Sequence, residues 1–326
     1  MGANLCYIYI ASCNTRCETE FRANLASDRK SDSMTSAWMR IRSALIQLAT
    51  RRLTLWFSLR YQRSHTSIPK DPTMDERLQH AADLLRRSTR TIVLTGAGIS
   101  TPSGIPDFRS PTSGLWATFD PLEVASVWNF HAAPERFYAW MRPLAAQILG
   151  ARPNPAHTAL ARLEAGNLVH GIITQNIDSL HQAAGSKRVH EVHGHLRSAS
   201  CLDCHFQRAA GDLWDAFLQR GELPRCDNCG AVLKPDAVLF GEPLSYNTLR
   251  LAQEDALHCD VFIVIGSSLE VEPAADLPFL AQRRGAQVIV FNYQPTPIDA
   301  RAALVLSADA AVILPRLADI LLGPAT

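Results

Sequence analysis

The stretch TIVLTGAGISTPSGIPDFR, residues 91–109, places a β-branched apolar run directly before a glycine-rich turn. Thr91–Thr95 has the composition of a buried strand. Gly96-Ala97-Gly98 follows, and glycine there lets the backbone turn tightly and approach a phosphate. A simple dinucleotide fingerprint would have a third glycine at Thr101, so the turn predicts nucleotide binding of another kind. The alternative is an ordinary strand-to-loop turn of an α/β protein.

The composition is that of a globular protein without a strong overall charge. The chain has 326 residues, 47% of them hydrophobic, and a formal net charge of +1. This balance provides no overall basic field for nucleic acid. No apolar run approaches the roughly 20 residues of a membrane helix. The length suffices for one large domain or two modest ones.

The first 73 residues differ in character from the rest. They contain 11 Lys/Arg and 5 Asp/Glu, a net charge of +6, so residues 74–326 carry −5 of the overall +1. No periodic apolar pattern persists there, and we predict a poorly ordered basic extension over 1–73. One alternative is a membrane-surface or targeting helix at Leu53–Leu59, which arginines flank. Met74 would also serve as a start of translation.

Four of the eight cysteines form two Cys-x-x-Cys pairs, Cys201/Cys204 and Cys226/Cys229, with 21 residues between them. Two such pairs supply four thiolates within tetrahedral reach of one Zn²⁺. Four sulfur ligands leave no open coordination position, so the predicted zinc is structural. Cysteines used for metal indicate a reducing compartment, and we predict a cytoplasmic protein. The alternative, a redox dithiol, needs only one pair.

From residue 75 onward, amphipathic helices alternate with buried-strand patterns. Residues 75–87 place acids first, arginines last and apolar residues on one face, which predicts a helix. Strands are predicted at 91–95, 168–174, 189–193, 260–265 and 287–291, with a strand-like patch at 311–314. This order predicts an α/β fold. We expect a doubly wound parallel, Rossmann-like sheet with a smaller helical and zinc-ribbon module inserted in it.

Polar or small residues follow several of these strands. Gln175, Asn176 and Asp178 follow one strand, Gly266–Leu269 follows another, and Asn292 follows a third. In open α/β sheets, ligands bind outside the carboxyl ends of the strands. Amide and carboxylate groups at that edge suit a ribose or an amide. Helix capping, the alternative, explains one of the first three residues but not all of them.

Together these motifs resemble the sirtuin family of NAD-dependent protein-lysine deacylases, in its bacterial and archaeal deacetylase type. The matching residues are Gly96–Ser100, Ser103–Arg109, Thr174–Asp178 with Leu180 and His181, His193 with Gly194, the four cysteines, Val238 with Phe240–Glu242, Gly266–Leu269 with Pro273–Ala275, and Asn292 with Pro295–Pro297. The resemblance covers about residues 75–322. It implies a catalytic domain at 74–326. The implied parts are a Rossmann-like part (74–112, 151–194 and 236–326), a helical part (113–150) and a zinc module (195–235).

The resemblance implies that NAD is a consumed co-substrate. The acyl-lysine oxygen attacks the nicotinamide ribose as nicotinamide leaves, and the acyl group ends on ADP-ribose. His193 is the implied general base toward a ribose hydroxyl, and Asn176 would position ribose and water. The implied NAD contacts are Gly96, Ala97, Gly98, Ile105, Asp107, Phe108, Arg109, Gln175, Asn176, Asp178, Gly266, Ser267, Ser268 and Asn292.

The resemblance also implies how an acyl-lysine peptide binds. The peptide would add as a strand between two segments of the chain, a β-augmentation. The implied substrate contacts are Val238, Phe240, Gly241 and Glu242, opposite the segment Ser268–Val271. Relatives that remove succinyl or malonyl groups have a tyrosine followed three residues later by arginine. Here Met141 follows Tyr138 at that offset and Arg142 comes one position later, a rotation of about 100° on a helix. We therefore predict uncharged acyl groups, acetyl first.

Three other functions stay open at this point. A mono-ADP-ribosyltransferase or NAD hydrolase on the same fold would differ from a deacylase only in the nucleophile that attacks NAD. A catalytically silent NAD- or peptide-binding module would be favoured by the absence of His193 or Asn176, and both are present. The net charge of residues 74–326 disfavours a zinc-ribbon nucleic-acid binder. We expect neither nucleic-acid nor membrane binding.

Overall fold

The structure is a computed structural model that describes residues 73–108 and 114–324. The predicted extension at 1–73 lies outside the described residues except for Thr73. The strands of the described part are β1 (Thr91–Thr95), β2 (Gly171–Thr174), β3 (Val189–Glu191), β4 (Gly194–Cys201), β5 (Gln207–Ala209), β6 (Leu233–Ala237), β7 (Val261–Ile265), β8 (Gln287–Phe291) and β9 (Leu304–Leu306). Its helices are α1 (Met74–Arg87), α2 (Pro121–Val124), α3 (Val127–Ala132), α4 (Pro134–Gly150), α5 (Pro155–Ala165), α6 (Leu180–Ala183), α7 (Gly211–Arg220), α8 (Tyr246–Leu257), α9 (Leu277–Arg283) and α10 (Ala310–Leu322).

Six strands form a parallel sheet in the order β3-β2-β1-β7-β8-β9. β1 and β7 are buried along their whole length, as expected where helices cover both faces of a sheet. The chain proceeds outward from β1 to β3, returns beside β1 with β7, and proceeds outward the other way to β9. The strand order therefore reverses between β1 and β7, which is where sheets of this kind bind ligands. The predicted doubly wound sheet is confirmed.

Helices cover both faces of this sheet. On one face α1, α5 and α10 pack together, and Leu78, Leu160 and Leu317 are completely buried there. On the other face α8 and α9 bury Ala256 and Leu277 against the strands. Within residues 73–108 and 114–324, no helix has the length and apolar character that crossing a membrane requires.

The smaller module joins helices α3, α4 and α7 to an antiparallel sheet in the order β5-β4-β6. Tyr138 of α4 is completely buried at its centre, and its hydroxyl donates to the Leu233 carbonyl oxygen over 2.5 Å. Phe137 and Phe217 meet the Tyr138 ring edge to face, with centroids 5.2 and 5.0 Å away. The helical segment and the cysteine segment therefore share one hydrophobic cluster.

The strand-like patch predicted at 311–314 is wrong, because these residues lie in α10. The Asp309 carboxylate accepts a hydrogen bond from the Ala311 amide over 2.8 Å and caps the helix there. The last strand of the sheet is β9 instead. It has only three residues, too few for an apolar period to be recognised in the sequence.

Candidate active site

The two glycine turns meet at the carboxyl ends of β1 and β7. The Gly98 amide donates to the Gly266 carbonyl oxygen over 2.9 Å, and the Gly96 amide donates to the Ile265 carbonyl oxygen over 3.0 Å. A Cβ atom on Gly98 would lie 2.7 Å from the Gly266 Cα atom, and Gly266 has a φ of +60°. Side chains at these positions would force the turns apart, so glycine is required at both.

A cleft of about 480 Å³ opens at these turns. Every NAD or peptide contact predicted from the sequence lines it, apart from Arg109, which lies outside the described residues. His193, the predicted general base, lines the cleft together with these contacts: Gly96, Ala97, Gly98, Ile105, Asp107, Phe108, Gln175, Asn176, Asp178, Val238, Phe240, Gly241, Glu242, Gly266, Ser267, Ser268 and Asn292. Segments that are distant in sequence thus form one cavity of the size that small-molecule sites have.

Ser100 joins Asn176 to Asp178. The Asn176 amide nitrogen donates to the Ser100 Oγ atom and to the Gly96 carbonyl oxygen, both at 3.1 Å. The Ser100 hydroxyl donates to Asp178 Oδ2 over 2.7 Å. Burial raises the pKa of the Asp178 carboxyl, whereas hydrogen bonds from the Leu180 amide and Ser100 oppose that rise. Ser100 belongs to the first glycine turn, but the sequence alone does not show that its hydroxyl bonds to Asp178 after β2.

His193 lies where the parallel sheet meets the smaller module. Its Nδ1 atom is 3.0 Å from the Gln175 carbonyl oxygen. A carbonyl oxygen only accepts, so Nδ1 carries the hydrogen and the neutral ring has its lone pair at Nε2. The His193 carbonyl oxygen accepts from the Val238 amide over 2.9 Å. A Cβ atom on Gly194 would lie 1.9 Å from the Asp236 carbonyl oxygen, so glycine permits the close crossing that fixes His193.

A buried polar chain supports Asn176 from inside the fold. The Thr95 hydroxyl donates to Thr174 Oγ1 and lies within 2.9 Å of His181 Nε2, which therefore donates to it. Thr174 Oγ1 in turn accepts from the Asn176 amide over 3.1 Å. Burial lowers the pKa of His181 to about 3 and that of His157, beside it, to about 4. Both rings are thus neutral at physiological pH.

The four cysteines gather at the end of β4. Cys201 and Cys229 have their Sγ atoms 3.5 Å apart, as do Cys204 and Cys226, and all four sulfurs lie within 4.8 Å of one another. A tetrahedral zinc with Zn–S bonds of about 2.3 Å places its sulfurs about 3.8 Å apart. The predicted ligand set therefore fits one Zn²⁺, and four thiolates leave no position for water, which makes the zinc structural.

Comparison with known proteins decides the family. A model of the Sir2 family matches residues 96–273. The chain belongs to the Sir2 family. This sirtuin is 45% identical over 250 residues to NAD-dependent protein deacylase 2 of Archaeoglobus fulgidus, which covers 76% of this chain and 96% of the relative. It is 45% identical over 235 residues to NAD-dependent protein deacetylase 2 of Caldanaerobacter subterraneus subsp. tengcongensis, covering 72% of this chain and 92% of that one.

Solved structures agree with this assignment. A structure described as the basis for the mechanism and regulation of Sir2 enzymes matches with a TM-score of 0.72 and 44% identity, covering 76% of this chain and 98% of that chain. A Sir2 complex with a p53 peptide and NAD⁺ matches with a TM-score of 0.69 and 39% identity, covering 74% and 98%. The structure of Sir2Tm bound to a propionylated peptide matches with a TM-score of 0.68 and 37% identity, covering 75% of this chain and 98% of that chain. The family predicted from the sequence is confirmed.

Phe240 fixes the segment that joins β6 to α8 in this sirtuin. Its amide donates to the Ala125 carbonyl oxygen over 2.9 Å, and its carbonyl oxygen accepts from the Val127 amide over 3.0 Å. The neighbouring Leu239 is paired as well, because its carbonyl oxygen accepts from the Glu242 amide over 3.0 Å. Gly241 has a φ of +89°, so the chain turns at this residue.

Lys234 is a buried cation below the same segment. Its Nζ atom donates to the carbonyl oxygens of Pro235 and Ala237, both at 2.9 Å, and lies 3.1 Å from the Glu242 carboxylate. That carboxylate also accepts from the Leu239 amide over 2.8 Å. The sequence gives no sign of this role, because an isolated lysine is ordinarily a surface residue.

Helix α4 forms an apolar wall of the cleft. Its apolar spacing predicts a core helix, and the same residues do pack in the core of the smaller module. They also line the cleft: Phe137, Trp140, Met141, Leu144 and Ile148. Arg142 faces away, because its Nη2 atom donates to the Leu218 carbonyl oxygen over 2.7 Å. A helix face has the same periodicity whether it covers a core or a cavity, so sequence pattern does not separate the two.

Proposed function

We propose that this sirtuin is an NAD-dependent protein-lysine deacylase that transfers the acyl group from acyl-lysine to ADP-ribose and releases nicotinamide. One observation carries the proposal: His193, the Ser100–Asn176–Asp178 network and both glycine turns line one cleft. The relatives named above are an NAD-dependent protein deacylase and a deacetylase. Solved Sir2 structures hold an acylated peptide or a peptide with NAD⁺.

The residues of the cleft fit NAD as a co-substrate. The turns at Gly96–Gly98 and Gly266 permit close backbone approach to a diphosphate. Ser267 and Asn292 also line the cleft, and we assign them to the diphosphate and adenosine side of NAD. Asn176 and Asp178 offer an amide and a carboxylate to the ribose and the nicotinamide amide. NAD supplies the ribose carbon that takes the acyl oxygen, and nicotinamide is its leaving group.

His193 acts as the general base toward a ribose hydroxyl. Its Nδ1–H is held by the Gln175 carbonyl oxygen, so the tautomer with a basic Nε2 is the one the fold selects. When Nε2 takes up a proton, that same carbonyl oxygen stabilises the imidazolium through a charge-assisted hydrogen bond. The proton later returns to the leaving lysine amine or to solvent, and the histidine is ready for another cycle.

The peptide binds along Val238–Gly241, opposite Ser268–Val271. Val238–Gly241 lines the cleft, as do Ser268, Glu270 and Val271 of the opposite segment. The backbone groups of Leu239 and Phe240 are already paired within the protein, so an added strand would pair with the Val238 carbonyl oxygen and the Gly241 backbone. Backbone hydrogen bonds of this kind give affinity with modest dependence on the peptide sequence.

The acyl group is uncharged, with acetyl preferred. The wall that α4 contributes is apolar, and an anionic acyl group buried there would lack a partner. Tyr138 and Arg142 do not supply one. The Tyr138 hydroxyl is bonded to the Leu233 carbonyl oxygen, and the Arg142 guanidinium is bonded to the Leu218 carbonyl oxygen.

The proposal extends to the domain boundaries and to the location of the protein in the cell. The division into a Rossmann-like part, a helical part and a zinc module at the boundaries predicted above is supported by the separate hydrophobic clusters of the sheet and of the smaller module. A cytoplasmic location is supported by the cysteine cluster, because zinc-binding thiolates persist in a reducing environment.

Full-length protein incubated with NAD and an acetyl-lysine peptide tests the function. Mass spectrometry should detect nicotinamide, deacetylated peptide and O-acetyl-ADP-ribose. His193→Ala should lose all three, whereas His258→Ala, which removes an exposed histidine of the α8 end, should keep them. Free ADP-ribose formed without peptide would indicate an NAD hydrolase instead, and ADP-ribosylated protein would indicate a transferase.

A further inference from the structure

Trp128 is a large exposed apolar side chain beside the peptide segment. It lies on α3 with 63% of its surface exposed. A Cβ atom built on Gly241 would lie 2.5–2.9 Å from three carbons of the indole six-membered ring. The ring therefore rests on the Gly241 backbone, and Gly241 lines the cleft.

Main-chain pairing holds the start of α3 beside the peptide segment. Ser126 and Phe240 form a parallel bridge, and the Phe240 amide and carbonyl groups bond on either side of Ser126. The Ser126 hydroxyl oxygen also accepts from the Asn129 amide over 3.3 Å and caps α3. These bonds hold the backbone that carries Trp128 next to Gly241.

We propose that Trp128 forms a specificity site for an apolar side chain of the substrate that neighbours the acyl-lysine; this rests on the proposed deacylase function. A strand added along Val238–Gly241 directs alternate side chains to opposite sides, so one of them falls over the indole.

The chemistry of the site favours leucine or an aromatic residue over a charged one. Covering exposed indole with apolar surface is favourable in proportion to the area removed from water. A cation gains less over a ring that stays open to solvent, because the cation keeps its own hydration. A tryptophan side chain has only two rotatable bonds, so ordering it against a substrate costs the protein little conformational entropy.

An acetyl-lysine peptide panel tests the site. Leucine, arginine, glutamate or alanine is placed at each of the two positions on either side of the acetyl-lysine, and kcat/KM is measured with full-length protein. At one of these positions leucine should exceed alanine by about fivefold. Fluorescence anisotropy of the same labelled peptides without NAD should show the same ratio in affinity.

Three variants separate the site from a general effect on folding. Trp128→Ala should lower the leucine-to-alanine ratio to about one, and Trp128→Phe should keep part of it. Val312→Ala on α10 removes another exposed apolar side chain and should leave the ratio unchanged.

A leucine-to-alanine ratio of about one in the wild-type protein overturns the proposal. So does a ratio that survives in Trp128→Ala, or a preference for arginine over leucine. If peptides bind with the expected ratio but no peptide is deacylated, the proposed function fails and the specificity site stands as a peptide-binding site.

Discussion

The imidazole rings of His157 and His181 lie 4.9 Å apart, edge to face, and both rings are buried. His157 belongs to the cap of α5, where its Nδ1 atom accepts from the Asn154 amide. His181 bonds to Thr95 behind Asn176. Burial lowers the pKa of both rings, and the neighbouring His157 lowers that of His181 further.

The low pKa values predict acid-sensitive folding. The unfolded chain takes up these protons as the pH falls below about 6.5, whereas folded His157 and His181 stay neutral to about pH 4 and about pH 3. Stability is therefore fully present above pH 6.5 and is lost as the pH falls, by about 2 kcal/mol per histidine at pH 5. Urea unfolding at pH 7 and pH 5 measures how much the free energy of unfolding falls between these pH values. This decrease should be about 2 kcal/mol smaller in His157→Gln than in the wild-type protein. An equal difference in both proteins would mean that His157 is charged in the folded state.

Ser100→Ala should impair catalysis more than folding. It removes the link between Asn176 and Asp178, and we expect kcat to fall about 10- to 100-fold. Loss of the hydroxyl donor raises the pKa of Asp178 further, so the acid limb of the pH–rate profile should shift to higher pH. Ser88→Ala, at the opposite end of β1, also removes a doubly bonded hydroxyl and should leave kcat unchanged. A normal profile in Ser100→Ala would rule out this network as a determinant of the reaction.

Lys234→Met should weaken peptide binding and folding together. It leaves the Glu242 carboxylate and two carbonyl oxygens without their cation, at a cost of about 3 kcal/mol in the free energy of unfolding. Because Glu242 holds the Leu239 amide, the KM for peptide should rise more than the KM for NAD. Lys187→Met changes an exposed lysine and serves as the control. Equal increases in both KM values would assign Lys234 a purely structural role.

Zinc should be required for folding but not for the chemical step. Chelation should abolish the near-ultraviolet circular dichroism of the smaller module, where Trp214 is buried, and activity should be lost with it. Replacement by Co²⁺ should give the visible spectrum of a tetrahedral thiolate site while the pH–rate profile stays unchanged. A profile that shifts with the metal would mean that a metal-bound water takes part in the reaction.

The side chains that α4 directs into the cleft predict a preference for uncharged acyl groups. Acetyl-lysine peptide should react at least about tenfold faster than succinyl-lysine peptide, because an anion in an apolar wall lacks a partner. Arg142→Ala should not alter the ratio of the two rates, since its guanidinium is bonded to Leu218. Faster desuccinylation by the wild-type protein would contradict the assignment of the wall.

The sequence predicts the central strands and the polar residues at their carboxyl ends, because both follow from local patterns. Thr91–Thr95 and Gln287–Phe291 have the predicted bounds. Contacts across long sequence separations are not visible in such patterns. The link from Ser100 to Asp178 and the position of Trp128 on Gly241 depend on how distant segments meet. The patch at 311–314 is apolar enough for a strand. It is helical because Asp309 caps α10 and because α10 packs on α1 and α5.

The pairing of β1 with β7 joins residues about 170 positions apart, Thr91 to Val261 at one end and Thr95 to Ile265 at the other. Ribosomal synthesis releases β1 long before its partner exists. The glycine turns cannot meet, and the cleft cannot close around a dinucleotide, until β7 has emerged and joined the sheet. Contacts of such high contact order form slowly. Binding of NAD would thus report that a newly made chain has completed its fold, and cellular NAD would select finished molecules over partly folded ones by mass action.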